Sequence, residues 1–356
     1  MPEMTQSHSS DKSANRLIEF ARIELEEHTL AIRWSPTGNL LAAMPSEGSI
    51  IVLDVAEGSK CSLKGHGSDN ASLAWHPKRN LLATCGQDGM IRIYGETLPF
   101  TKPIIEFLAG KGWIETLAWN CDGSLLAVGV DRTLLIFDPQ SGEITQSFNS
   151  HRSTICDLAW NPIRRDEIAT VCDGGANMWR IGEKKPFGKF EWGGASLKVL
   201  WSPDGRWVVT GDQLPSVHIY DVPKQIPLHI QGYQGKVRAL TWEDRSEWLA
   251  TAGGNSVTVW PCTGNKGPDG ATPIELLGHE GKVCALHFAP GQTILASGDD
   301  EGVLLLWLPK NQTSPAQLIL LQSSITDIKF SPDSTYLSIG TTEGIVSIRT
   351  IVRNDK

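Results

Sequence analysis

Three histidines, His66, His151 and His279, each stand nine residues before an aromatic side chain, at Trp75, Trp160 and Phe288. Imidazoles at a fixed spacing could act as general bases or metal ligands, which makes them the first candidates for chemistry. Cysteine offers a second set: Cys156 and Cys284 hold the same place, four residues before Trp160 and Phe288, and Cys172 follows Cys156 at a short interval. Such thiols could hold a soft metal or zinc if neighbours lower their pKa. The plainer reading is a small residue filling Ala, Val or Gly positions in strands. The seven cysteines are an odd number and no CxxC pair occurs, so spacing suggests neither a disulfide framework nor a zinc knuckle, and a reducing cytoplasm is the expected setting. There is no GxSxG and no HExxH, and the Gly-Lys pairs beginning at 110, 188, 235 and 281 continue with Gly, Phe, Val and Val where a phosphate loop needs Ser or Thr. No catalytic residue, no cofactor and no enzyme activity is expected.

The elements that position these residues repeat along the whole chain. A phrase of apolar, any, aromatic, polar and usually Pro recurs as IRWSP, LAWHP, LAWNC, LAWNP, VLWSP, LTWED, LHFAP and IKFSP, anchored on Trp34, Trp75, Trp119, Trp160, Trp201, Trp242, Phe288 and Phe330. The intervals between anchors are 41, 44, 41, 41, 41, 46 and 42 residues. Each anchor is followed by a turn, a small apolar strand such as LLAT or WVVT, a second tight turn such as Gly86-Gln87-Asp88-Gly89, and a strand with period-two alternation. One unit is therefore a short antiparallel meander of four strands, which cannot bury both faces unless its neighbours stack on it. Composition agrees, with 35 Gly and 20 Pro for turns and 13 Trp largely spent on the repeat. The longest apolar run, Val303 to Leu308, is too short to span a bilayer, and the start of the chain does not read as a secretory signal. With 32 basic and 40 acidic side chains, net -8, the charge balance argues against nucleic acid as a partner, and no membrane partner is expected.

On these motifs, with Gly65-His66, Asp88-Gly89, Gly278-His279 and Trp307, the chain resembles the WD-repeat β-propeller family. The resemblance implies an all-β propeller, and the eight anchors imply eight four-stranded blades, with seven as the alternative. The last unit lacks an outer strand, and the apolar segment from Leu17 to Leu25 is expected to supply it and close the ring. Residues 1–15 are expected to be a disordered polar tail and 16–356 a single propeller domain, with Cys262 to Pro273 and Lys310 to Ala316 as longer loops. The resemblance further implies that His66, His151 and His279 join a hydroxyl, the turn acid Asp88 and its counterparts, and a third-strand Trp such as Trp179, Trp260 or Trp307 in buried structural hydrogen-bond chains, leaving little for catalysis or metal.

Function is then expected on the narrow face, where units differ most. Four residues before the anchors stand Leu30, Ala71, Glu115, Cys156, Leu197, Arg238, Cys284 and Thr326. Trp113, outside the repeated framework, could be an exposed hot spot beside Glu115, and Lys236, Arg238 and Lys282 on adjacent units could form a basic patch for an acidic peptide. Trp192 is a similar candidate of less certain register. The leading expectation is a non-enzymatic scaffold, favoured as a monomer, that binds a protein or peptide on this face. A metal-binding propeller using Cys156, Cys172 and Cys284, or an enzyme at the axial channel, are the alternatives.

Overall fold

The computed structural model describes residues 16–67, 69–110, 112–264 and 266–352; the expected tail at 1–15 lies outside the described residues. Among the described residues every regular element is a strand, and no helix is long and apolar enough to cross a membrane. Each anchor ends the innermost strand of its unit, as in Thr29–Trp34, Ile114–Trp119 and Val283–Phe288. These inner strands pack on one another in sequence order, and the last, Ile325–Phe330, packs on the first, so the units close a ring.

The strands form seven hydrogen-bonded sheets, six of four strands and one of six. This corrects the expected count of eight blades to seven, the number held as the alternative, and the cause is local. The fourth and fifth units share one sheet, because the outer strand of the fourth runs without a break into the inner strand of the fifth as Gly188–Trp201. Its first half pairs with Gly175–Met178 and its second with Trp207–Asp212. The segment Trp192-Gly193-Gly194 stands where other units turn. A Cβ on Gly194 would lie 2.6 Å from the Trp192 ring, and one on Gly175, at φ 112°, would lie 2.1 Å from the Phe190 carbonyl. Only glycine lets the ring fold back and the two strands meet so closely.

The ring closes as expected. Arg16–Glu24 pairs antiparallel with Ile345–Val352 and completes the last sheet, with a bulge between Glu19 and Ala21. It buries Leu17 and Ile23 in the seams on either side of that sheet. The first and last units are tied again where Asp327 accepts from Arg33 Nη1 at 2.8 Å and from the Ile32 amide at 3.1 Å.

The anchors do more than pack. Trp75, Trp119, Trp160 and Trp201 each donate Nε1–H to the carbonyl just before the preceding anchor, at Arg33, Ala74, Ala118 and Ala159, over 2.9 to 3.1 Å. Trp34 does the same to Lys329 at 3.1 Å across the closure. An indole thus fills the seam with apolar surface and satisfies its one donor on the neighbouring unit. Where Phe replaces Trp, the seam bonds are donated by the amides of Phe288 and Phe330 to Thr241 Oγ1 and His287 Nδ1.

Candidate functional site

The three repeated histidines lie in the core, and their ring nitrogens are taken up there. In the seventh unit His279 contacts Asp299 Oδ2 at 2.7 Å through Nδ1 and Ser297 Oγ at 2.6 Å through Nε2, and Trp307 Nε1 donates to the same hydroxyl at 2.7 Å. In the second unit His66 bridges Asp88 and Thr84 at 2.8 and 2.9 Å, but no Trp follows. Arg92 enters instead, almost fully buried, and pairs with Asp88 and Glu106 at 2.7 Å each. Sequence reading misses Arg92 because its two acids come from a turn and an outer strand. In the fourth unit His151 contacts Thr170 Oγ1 at 2.8 Å, as does Trp179 at 2.9 Å, with the Arg132 carbonyl in place of an acid. The sixth unit substitutes Tyr233, which shares Thr251 with Trp260.

Burial holds these imidazoles below their usual range, His151 at about 4. The unfolded chain therefore takes up this proton near pH 6.5, whereas the folded chain resists it until about pH 4. Stability from this group is complete above pH 6.5 and is lost as pH falls toward 4, by about 2 kcal/mol between pH 7.5 and 5. Urea unfolding of the native chain and a His151→Gln variant at both values checks this; an equal pH slope in the two would contradict it.

The rim expected to bind a partner is built by a backbone clamp. In six units the carbonyl six residues before the anchor, including those of His28, Asp69, Trp113 and Lys282, accepts from the amide of the turn between second and third strands, for instance Asp131 to Trp113 at 3.3 Å and Asp300 to Lys282 at 3.0 Å. Further bonds run between units, such as Ile155 N to Asp131 O and Val283 N to Gly254 O, both 2.8 Å. Two rows of loops are thereby fixed on one rim. Trp113 has its main chain in this clamp and its side chain 60% exposed. Glu115, Lys236, Arg238 and Lys282 are all exposed on the same rim, and the three cations have no ion pair among the described residues. Glu115 and Arg238 both act electrostatically on Cys156, so charges of the third and sixth units reach a thiol of the fourth. Trp192 is separated from this group: its Nε1 donates to Ser196 Oγ at 3.0 Å and its ring lies 4.7 Å from that of His218, folded onto its own sheet.

Cys156 and Cys172 are neighbours within the fourth unit, while Cys284 belongs to the seventh. Cys172 is buried, while Cys156 and Cys284 are exposed on different units with their thiols directed at backbone carbonyls of Thr154 and Lys282. Crowding by neighbouring strands pushes both exposed thiols above their ordinary value, the reverse of what a thiolate ligand needs. Among the described residues no three His, Cys, Asp or Glu side chains gather as a metal set. On the inner strand of the last unit, Asp327 binds Lys329 Nζ at 2.8 Å besides Arg33. Burial opposes its charge, but Lys329 and Arg33 outweigh burial and hold the carboxyl well below the usual range.

A cleft of about 440 Å³ lies elsewhere, on the six-stranded sheet, walled by Glu191, His218, Tyr220 and His229 among others. No repeat signal pointed to it, because it exists only where the two units fuse.

Three stretches, 58–95, 225–261 and 271–307, match the family described as WD domain, G-beta repeat, and 104–162 matches the Anaphase-promoting complex subunit 4 WD40 domain. The chain is 24% identical over 324 residues to Meiotic fizzy-related protein 1 of Schizosaccharomyces pombe, covering 87% of this chain and 74% of that protein. It is 25% identical over 220 residues to THO complex subunit 3 of Arabidopsis thaliana, covering 59% and 68%. Against the human F-box-like/WD repeat-containing protein TBL1X it is 27% identical over 199 residues, spanning only 33% of that protein. The computationally designed Ika8 protein has a similar fold at TM-score 0.77 and 20% identity, covering 92% of this chain and 98% of that one.

Proposed function

Because the chain belongs to the WD-repeat β-propellers, we propose that it is a non-enzymatic scaffold that captures a protein or peptide segment on its narrow face and holds it within a complex. The observation that carries this reading is the exposed Trp113 on a main chain clamped within its unit, on the same rim as three cations without ion pairs. A rim ordered before binding loses little further entropy on association, so a modest contact area suffices. The aromatic anchor supplies desolvation, and Lys236, Arg238 and Lys282 favour an acidic segment and speed its approach. The names of THO complex subunit 3 and of the matched anaphase-promoting complex domain, both parts of assemblies, are in keeping with this role. All seven cysteines are free thiols, which suits a reducing, cytoplasmic setting. Trp113→Ala combined with Arg238→Ala should leave the melting temperature unchanged and weaken retention of the natural partner at least tenfold. Undiminished retention would remove this face from consideration.

A further inference from the structure

A separate cleft of about 340 Å³ opens in the fourth unit, lined by Arg152, Asp173, Asn177, Lys189 and Glu191 among others. Part of its wall belongs to the rim loops, since the Asp173 amide donates to Ser153 Oγ at 2.9 Å and the Ile155 amide to the Asp131 carbonyl at 2.8 Å.

Asn177 sets this cleft apart. It is only 8% exposed, yet its carboxamide makes no hydrogen bond among the described residues. Its place in the repeat, opposite the second-strand hydroxyl and two residues before the third-strand aromatic, is the place of Arg92 and His218 in the second and fifth units. Those two side chains are answered by acids within their own units, Arg92 by Asp88 and Glu106 and His218 by Asp212. Asn177 instead presents two N–H donors and one acceptor to the cleft that it lines. A buried amide held in this way costs stability until something bonds it. The neighbouring Cys172 thiol is already directed at the Asp173 carbonyl, at 3.3 Å.

The walls decide what fits. Arg152 pairs with Asp173 at 3.5 Å and Lys189 pairs with Glu191, so each cation has its acid and these four side chains bring no net charge. An ion gains little in such a place. A neutral group with a donor and an acceptor side by side answers the carboxamide on both counts, and in a protein that group is the peptide unit, which every residue but proline supplies in full.

We propose that this cleft takes an extended peptide segment and that Asn177 binds its main chain, accepting from one N–H and donating to one C=O. The assignment rests on the scaffold role in one respect: the segment belongs to the partner that the rim captures. It adds a subsite that reads backbone where Trp113 and the three cations read side chains, and main-chain bonds of this kind give affinity without sequence preference.

The test titrates the full chain with a blocked dipeptide, N-acetyl-glycyl-glycine N-methylamide, which offers main chain and no side chain, and follows it by heteronuclear NMR. The side-chain amide resonance of Asn177, assigned by its loss in Asn177→Leu, should shift saturably. Asn177→Leu keeps the branched shape and removes the amide; it should weaken binding at least tenfold, read from the Lys189 and Glu191 resonances, and should melt no lower than the native chain because no internal bond is lost. Trp113→Ala with Arg238→Ala should bind the dipeptide as the native chain does, so failure of the rim and failure of the cleft are told apart. An Asn177 resonance that does not move, unchanged binding or a lower melting temperature in Asn177→Leu, or N-acetylglucosamine binding as well as the dipeptide would overturn the proposal.

Discussion

A chain shortened to begin at Leu25 should lose on the order of 5 kcal/mol of stability or more and should expose Ile345–Val352 as an open sheet edge prone to association. The estimate rests on what Arg16–Glu24 contributes. It buries Leu17 and Ile23, 6% and 1% exposed, in the seams on either side of the last sheet. Each such side chain is worth roughly 1.5 to 3 kcal/mol, before any account of the backbone bonds along its length. A typical domain has only about 5 to 15 kcal/mol in total, so closure of the ring hangs on this strand. Chemical denaturation measures the loss, and a peptide of residues 16–24 supplied in trans should recover part of it. Ile23→Ala alone should cost about 2 to 5 kcal/mol. An unchanged denaturation midpoint in the shortened chain would mean that the strand decorates the ring without closing it.

His279→Ala should destabilise the chain by about 3 to 5 kcal/mol, because it strands Asp299 as a fully buried carboxylate. Asp299 keeps only the amides of Glu301 and Val303 on its other oxygen, at 3.1 and 2.7 Å. The same change at His66 should cost less, since Arg92 still pairs with Asp88 at 2.7 Å. A double-mutant cycle through Asp299 apportions the coupling. The order of the two losses separates a structural role from a ligand or catalytic one: a functional histidine would be removed with little change in stability. Equal and small losses at His66 and His279 would contradict the structural assignment.

Much of the fold was legible because packing repeats. Each seam needs one large aromatic at the same depth, and the anchors from Trp34 to Phe330 record that requirement. The closing strand was legible from a missing partner, since Tyr336–Thr341 and Ile345–Val352 needed one more neighbour. The sheet count was not, because the fusion of the fourth and fifth units depends on Trp192 lying back over Gly194, a close approach that spacing alone does not report. Trp192 stands nine residues before Trp201, the place of histidine in other units, and takes over a polar chain through Ser196 to Asp212. That substitution leaves His218 outside the repeat pattern, as the network around Arg92 is outside it. On the narrow face the side chains could be named from their register, whereas their rigidity could not, since it resides in backbone bonds that every sequence makes alike.

The most direct measurement of the central claim is quantitative mass spectrometry of what co-purifies with three forms of the full chain: native, Trp113→Ala with Arg238→Ala, and a control altered at exposed perimeter residues, Lys60→Ala with Lys224→Ala. The narrow-face account predicts that the partner is recovered equally by the native chain and the perimeter control and is depleted at least tenfold from the narrow-face variant, with all three melting together. A partner retained by the narrow-face variant and lost from the perimeter control would contradict it.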